Sequence, residues 1–285
     1  MNNFLSLMKS ISVIECWLFT IYCQTNLLAG NYWSTHVVNV ADDLAEWPPY
    51  TYFVRKNGQA TQKIAGLAVD IVDQIFTSHH IKYTMELLPW QRAQAEVEKG
   101  NRYHMLLNAS YSDKRNQVYL LTKPYYQLNP YIFYSKKYHP EKLLISGVED
   151  VKKRFKTCGI FGYSYAARGF EENEVDAWAK NYGLLINALH KHGRRCDVFI
   201  EGYEIMIGFT VIGKPFMTDP LLGYVKLPGV KQEPFYMMIS RHIPHANELV
   251  EIIDKGIIRL VKTGQMRALF DKYQLLYPEN DFYLK

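Results

Sequence analysis

Cysteine is scarce in this sequence, with four in 285 residues, and only Cys158 and Cys196 lie beyond residue 30. No Cys/His pair has the close spacing that structural metal sites use, so no metal is expected. Beyond residue 30 the chain lacks any apolar run of about 18 residues, which excludes a transmembrane helix there. A Lys/Arg-rich tract is missing too. The net charge of +5 is mild and comes without a basic stripe, so nucleic acid is not an expected partner. No low-complexity segment appears, and the apolar and charged fractions, 48% and 21%, are ordinary for a globular protein. The length suffices for one large domain or two modest lobes, each with its own core.

The N-terminus is the most distinctive compositional feature. A short, weakly basic start, Met1 to Lys9, precedes the apolar run Ile11 to Cys23, and Leu28-Ala29-Gly30 supplies small residues. That pattern resembles a secretory signal peptide over residues 1–30, cleaved near Ala29. An uncleaved anchor is the alternative, and Glu15 interrupts the apolar run in either case. Secretion would leave Cys158 and Cys196 as an even pair outside the cytoplasm. Each opens a strand-like run, Cys-Gly-Ile-Phe and Cys-Asp-Val-Phe-Ile. If those strands are neighbours the two can form a disulfide; otherwise they are two buried thiols.

Periodicity predicts alternating strands and helices. His36–Val40 reads as a first strand, followed by the loop Glu46-Trp47-Pro48-Pro49-Tyr50, where two prolines fix φ and display an aromatic on each side. A short strand, Thr51–Val54, and a turn at Lys56-Asn57-Gly58 come next. Apolar residues at helical intervals predict a helix from about Leu67 to His79. Ile81–Leu87 is a second strand of the repeating pattern, and Pro89-Trp90 opens a helix that Gly100 ends. Tyr103–Leu107 is the third. After the strand Pro130–Ser135 the grammar restarts, with strands at Thr157–Phe161 and Val198–Ile200 and a helix over Tyr182–His192. Gly162-Tyr163-Ser164-Tyr165 reads as the entrance to a helix, whose free N–H groups suit an anion or carbonyl; an ordinary N-cap is the competing reading. A strand near Pro234–Ser240 precedes amphipathic helices over Glu248–Tyr273, interrupted at Gly264.

The third strand delivers the stretch with the clearest chemistry, Leu106 to Tyr126. Asn108, Ser110 and Ser112 offer amide and hydroxyl groups, and Arg115 follows three residues after Ser112. A guanidinium fork completed by neighbouring donors is a good carboxylate holder. Ligands in parallel α/β layers bind beyond the carboxyl ends of the strands, where Asn108–Arg115 falls. An ordinary solvated arginine after a turn is the competing reading of the stretch alone.

In order along the chain, the landmarks are Trp47-Pro48-Pro49-Tyr50, Gly66-Leu67-Ala68-Val69-Asp70-Ile71, Leu88-Pro89-Trp90-Gln91-Arg92 and Val97-Glu98-Lys99-Gly100. Ser110-x-Ser112-x-x-Arg115, Lys123-Pro124-Tyr125-Tyr126, Gly162-Tyr163-Ser164, Gly193-Arg194-x-Cys196-Asp197 and Gly264-x-Met266 follow. Together these resemble the bacterial extracellular solute-binding proteins of family 3, the polar-amino-acid type that serves ABC importers. The resemblance spans nearly all of the chain after the signal segment. It implies an α/β, two-lobed periplasmic-binding-protein (type II, flytrap) fold with two crossing hinge strands, at about Tyr131–Lys136 and Gln232–Ser240. Lobe 1 would comprise 31–131 and 237–285, and lobe 2 would be 132–236.

By the same resemblance Arg115 pairs with a ligand carboxylate, and Asn108 and Ser110 add hydrogen bonds. Trp47 or Tyr50 covers the ligand, Trp90 belongs to the binding set, and lobe 2 offers a helix N-terminus at Tyr163 and Ser164. Three positions depart from the family pattern: His104 stands where an aspartate is frequent, and Asn108 where serine or glycine is frequent. The acid that holds an ammonium would match Gly202, with Glu201 one residue early. The implied function is capture of a small carboxylated solute, an amino acid or related compound, by a periplasmic monomer, without cofactor or catalysis, for an ABC permease. Sensing for a membrane receptor is an alternative. A cyclohexadienyl-dehydratase-like enzyme is another, with Glu201 as the acid, although no second catalytic partner stands out.

Overall fold

The computed structural model describes residues 31–191, 195–279 and 281–284, so the signal segment and its cleavage position lie outside the described residues. The chain enters strand β1 (Val38–Asp43), buried at every residue except the half-buried Asn39. Strands β2 (Tyr52–Lys56) and β3 (Gln59–Ala65) form a hairpin turned at Asn57 and Gly58, whose φ values of 53° and 77° suit an Asn-Gly turn. The sequence predicts that turn but not β3, whose polar, mostly exposed residues carry no apolar signal.

Helix α1 (Leu67–Ser78) buries Leu67, Ala68, Ile71, Val72, Ile75 and Phe76, one stripe at helical spacing. Its first amides reach back to the proline loop: Leu67 N donates to Pro49 O and Ala68 N to Tyr50 O, each at 3.0 Å. Gly66 permits that approach, because its φ is 140° and a Cβ there would lie 2.0 Å from Tyr50 O. After β4 (Tyr83–Leu88), helix α2 (Trp90–Lys99) follows Pro89 and is closed by Gly100 at φ 69°. Strand β5 (Met105–Ser110) is buried at all six positions. Helix α3 (Asp113–Val118) and strands β6 (Tyr119–Leu121) and β7 (Tyr126–Leu128) complete the first half.

Strand β8 (Pro130–Ser135) opens the second half. It continues through α4 (Val148–Arg154), β9 (Thr157–Ile160), β10 (Asp176–Ala179), α5 (Tyr182–His190), β11 (Val198–Gly202), α6 (Tyr203–Gly208) and β12 (Leu222–Lys226). Strand β13 (Glu233–Ser240) then returns to the first half, followed by α7 (Ala246–Lys262), α8 (Gln265–Lys272) and α9 (Asp281–Leu284).

Two separate sheets result, ordered β4-β1-β5-β13-β6, with β7 also on β13, and β10-β9-β11-β8-β12. Strands β4, β1 and β5 run parallel, as do β10, β9 and β11. Each sheet therefore heads one lobe of the two-lobed binding-protein fold, and the carboxyl ends of its parallel strands supply loops to the gap between them. Of the two strands expected to cross, β8 pairs only within the second sheet and β13 only within the first, from Glu233 onward.

Two local findings bear on the sequence reading. Cys158 on β9 and Cys196 before β11 are joined as a disulfide, their Cα atoms 5.5 Å apart on neighbouring strands. The expected helix after Gly162 does not form. The chain makes a turn and then only a three-residue 3₁₀ helix, Ala166–Arg168, ended by Gly169 at φ 85°. Tyr165 explains the difference: its hydroxyl accepts from Ile160 N at 2.8 Å, tying the segment back onto β9.

Candidate functional site

Arg115 is positioned by its own short helix. Ser112 is the extended N-cap of α3, and its hydroxyl accepts from Arg115 N at 3.2 Å. The side chain turns back over the end of β5, where Nη1 donates to Ser110 O and Ser110 Oγ, each at 2.9 Å. Its guanidinium lies 5.6 Å from the centre of the Trp90 ring. Only 7% of the residue is exposed. Burial pushes its pKa down to about 10, so the group stays charged at neutral pH. Nη2 and Nε have no hydrogen-bond partner among the described residues, which leaves one side of the fork available.

The guanidinium faces a cleft between the two lobes, lined by Asp42, Asp43, Trp47, Trp90, Asn108, Ser110, Arg115, Tyr163, Ser164, Arg168, Glu233 and Phe235. Counting its mouth the cleft holds about 370 Å³ of empty space, but water centres fit in only about 30 Å³. That is room for about two waters. That space is smaller than a solute of amino-acid size. Tyr163 spans the gap from the second lobe and donates to Asp43 Oδ2 at 2.6 Å, with its ring edge-on to Trp47.

Acidic groups outnumber basic ones here. Asp42 is fully buried at the end of β1. Burial pushes its carboxyl up to about 7, against the opposing pull of Thr51. Asn108, held at φ 55°, donates through Nδ2 to Asp42 Oδ2 at 2.5 Å and to Thr51 Oγ1 at 2.7 Å. Its Oδ1 accepts from the hydroxyls of Tyr125 and Tyr126, so the amide is oriented and occupied at both ends. Arg168 donates to Glu233 at 2.7 Å, to Glu201 at 2.8 Å and to Ile200 O at 2.7 Å. Three buried atoms of cleft-lining residues have no partner among the described residues: Asp42 Oδ1, Glu233 Oε1 and Trp90 Nε1.

Of the nine residues expected at the site, Arg115, Ser110, Asn108, Trp47, Trp90, Tyr163 and Ser164 line this cleft. Tyr50 and Glu201 do not. Tyr50 stacks on Tyr126 at 3.8 Å, a layer beneath. Glu201 accepts from Arg168, from Gly202 N and, at 2.5 Å, from the Tyr182 hydroxyl, and is 1% exposed. Tyr163 and Ser164 sit in irregular backbone after a turn and not at a helix N-terminus. The sequence reading missed Asp42, Asp43, Arg168, Glu233 and Phe235. Two adjacent acids at the end of the first strand were a legible signal for the first pair, whereas the other three come from segments with no local mark. Among the described residues no cluster of three or more His, Cys, Asp or Glu is arranged for a metal, and no helix is long and apolar enough to cross a membrane.

Comparison with known proteins agrees with this architecture. The sequence model of the bacterial extracellular solute-binding proteins, family 3, matches residues 40–275. A "Probable amino-acid-binding protein YxeM" of Bacillus subtilis (strain 168) is 21% identical over 254 residues, covering 86% of this chain and 87% of that protein. A histidine kinase sensor domain with similarity to periplasmic binding proteins superposes with a TM-score of 0.67 at 21% identity, over 85% of this chain and 98% of that one. The arginine-, lysine-, histidine-binding protein ArtJ of Geobacillus stearothermophilus gives 0.64 at 16% identity, over 87% and 99%.

Proposed function

This chain belongs to the bacterial extracellular solute-binding proteins, family 3, and from that premise we propose that it captures a small carboxylated solute between its lobes for delivery to an ABC importer. The solute is an amino acid or a related compound, and capture takes place in the periplasm after removal of the signal segment, by a monomer. One observation carries the reading: Arg115 is charged, buried and half-committed, and it lines the cleft. Trp90 Nε1, buried and without an acceptor among the described residues, is a further donor beside it. A carboxylate would pair with this fork in a cleft from which lobe closure excludes water, where such a bond is strongest.

Names of relatives point the same way, since YxeM is described as a probable amino-acid-binding protein and ArtJ as binding arginine, lysine and histidine. The sensor-domain neighbour supports a second reading, in which a membrane receptor and not a permease reads the closed form. Adjacent permease and ATPase genes favour transport, and an adjacent signalling gene favours sensing. For the enzyme alternative, Glu201, the acid it relies on, is enclosed by Arg168 and Tyr182 behind the cleft. A thermal-shift screen of amino acids, dicarboxylates, polyamines and small peptides tests the proposal. At least one carboxylated compound is expected to raise the melting temperature by mass action, and a screen in which none does contradicts it.

A further inference from the structure

The segment after β9, residues 161–170, makes two side-chain hydrogen bonds to the first sheet, and they stand at unequal distances from the crossing between lobes. Arg168 donates to Glu233, the first residue of β13, the strand that returns the chain to the first half. Tyr163 donates at 2.6 Å to Oδ2 of Asp43, the last residue of β1. Strand β5 separates β1 from β13, so β1 lies two strand spacings, about 10 Å, from the crossing strand. The Arg168 pair sits at the crossing and can turn with it. The Tyr163 bond lies out along the sheet, where lobes that part must break it.

Tyr163 is built into this position. Gly162 precedes it at φ 80°, in the left-handed region, and packs so closely that a Cβ there would lie 2.6 Å from Gln91 Cγ of α2. The Tyr163 ring stands edge-on to two residues of the first lobe, Trp47 at 5.3 Å and Trp90 at 6.3 Å between centres. Among the described residues it is the one partly buried side chain packed against all three apolar clusters: the main core, the α2–β5 cluster of the first lobe and the β8–β11 cluster of the second. The contact is complete within the chain, since donor, acceptor and packing surface all come from the protein. Tyr163 also lines the cleft, and the space beside it holds about two waters.

We propose that Tyr163 is an autoinhibitory latch. Through Asp43 it holds the lobes together on its own account and takes up space that a solute needs, so a solute binds only those molecules whose latch is released. The apparent affinity is the intrinsic affinity reduced by that fraction. A bound solute closes the same lobes with the phenol freed from Asp43. The latch concerns the lobes and does not depend on which group anchors the solute, so it stands or falls apart from the role of Arg115.

The test uses the mature protein, stripped of co-purified solute by unfolding and refolding, beside Tyr163→Phe, which keeps the ring and removes the hydroxyl. Small-angle X-ray scattering without solute is expected to give Tyr163→Phe the larger radius of gyration, and equal radii overturn the latch. The probe for binding is whichever of the twenty common amino acids, succinate and glutarate most raises the melting temperature of the unaltered protein. Titration calorimetry is expected to show Tyr163→Phe binding it about tenfold more tightly, because a hydrogen bond to a carboxylate no longer opposes entry. Equal or weaker binding overturns the competition between phenol and solute. A series without any melting shift contradicts the carboxylate reading, while the scattering comparison still decides the latch. The unaltered protein answers alone if the variant does not fold: its solute-free scattering profile is expected to match the one calculated from the structure and to keep its radius when the probe saturates it. A wider solute-free profile, or contraction on adding the probe, overturns the proposal.

Discussion

Arg115 and Asp42 are both withdrawn from water at the carboxyl ends of the parallel strands of the first sheet, with opposite consequences. The guanidinium keeps its charge at neutrality despite burial, because its pKa of about 10 remains well above that pH. The carboxyl is raised from 3.8 to about 7, so the folded chain holds a proton that the unfolded chain releases between those values. Ligand-free stability therefore falls as pH rises from about 4 to 7, and it stays lowered above that. Burial also raises Asp43 and Glu233, which act in the same sense. Asp42→Asn removes one such group. It is expected to stabilise the ligand-free protein at pH 8 by on the order of 2 kcal/mol, a few degrees in melting temperature, and to change little near pH 4. Thermal denaturation across that range checks it, and parallel pH profiles for variant and parent contradict it. Arg115 was legible as a candidate because its donors are neighbours in sequence. Asp42 was not singled out, since its meaning depends on burial and on an Asn108 amide that only the fold brings to it.

Among the elements, closeness of approach between lobes rests on residues without side chains. Gly208 ends α6 against the proline loop of the other lobe, where a Cβ would lie 2.3 Å from Pro48 O. Gly162 meets Gln91 of α2 from the other side, where a Cβ would lie 2.6 Å from Gln91 Cγ. Gly208→Val is expected to prop the lobes apart and weaken ligand binding at least tenfold, although it touches no cleft-lining side chain. Titration calorimetry reads the loss, and unchanged affinity contradicts a requirement for close approach. Helix α1 was legible because its apolar residues keep the helical period, and strand β5 because it opens on a short apolar run. Strand β3 was not, being exposed and polar. The segment after Gly162 misled because a glycine followed by hydroxyl residues reads as a helix start, while the tie from Tyr165 to β9 that prevents the helix leaves no local pattern.

At the scale of the whole molecule, two sheets face one cleft, and the residues that line it run from Asp42 to Phe235. The alternation of strands and helices was readable, and so was the Asn108–Arg115 stretch that faces the cleft. Arg168 and Glu233 were not readable as cleft residues, because their ion pair joins the second lobe to a strand of the first sheet and no local sequence reports it. The cleft has space for about two waters, so on the proposed reading a solute is enclosed by lobes that part and close again. That enclosure is what gives one buried charge pair its leverage, since removing a partner leaves the other uncompensated, at a cost of about 2–5 kcal/mol. The most direct test is a calorimetric titration of Arg115→Ala with the carboxylated compound that most raises the melting temperature of the unaltered protein. The account predicts affinity lower by about 100-fold or more, with the fold retained. Affinity equal to that of the unaltered protein would contradict it.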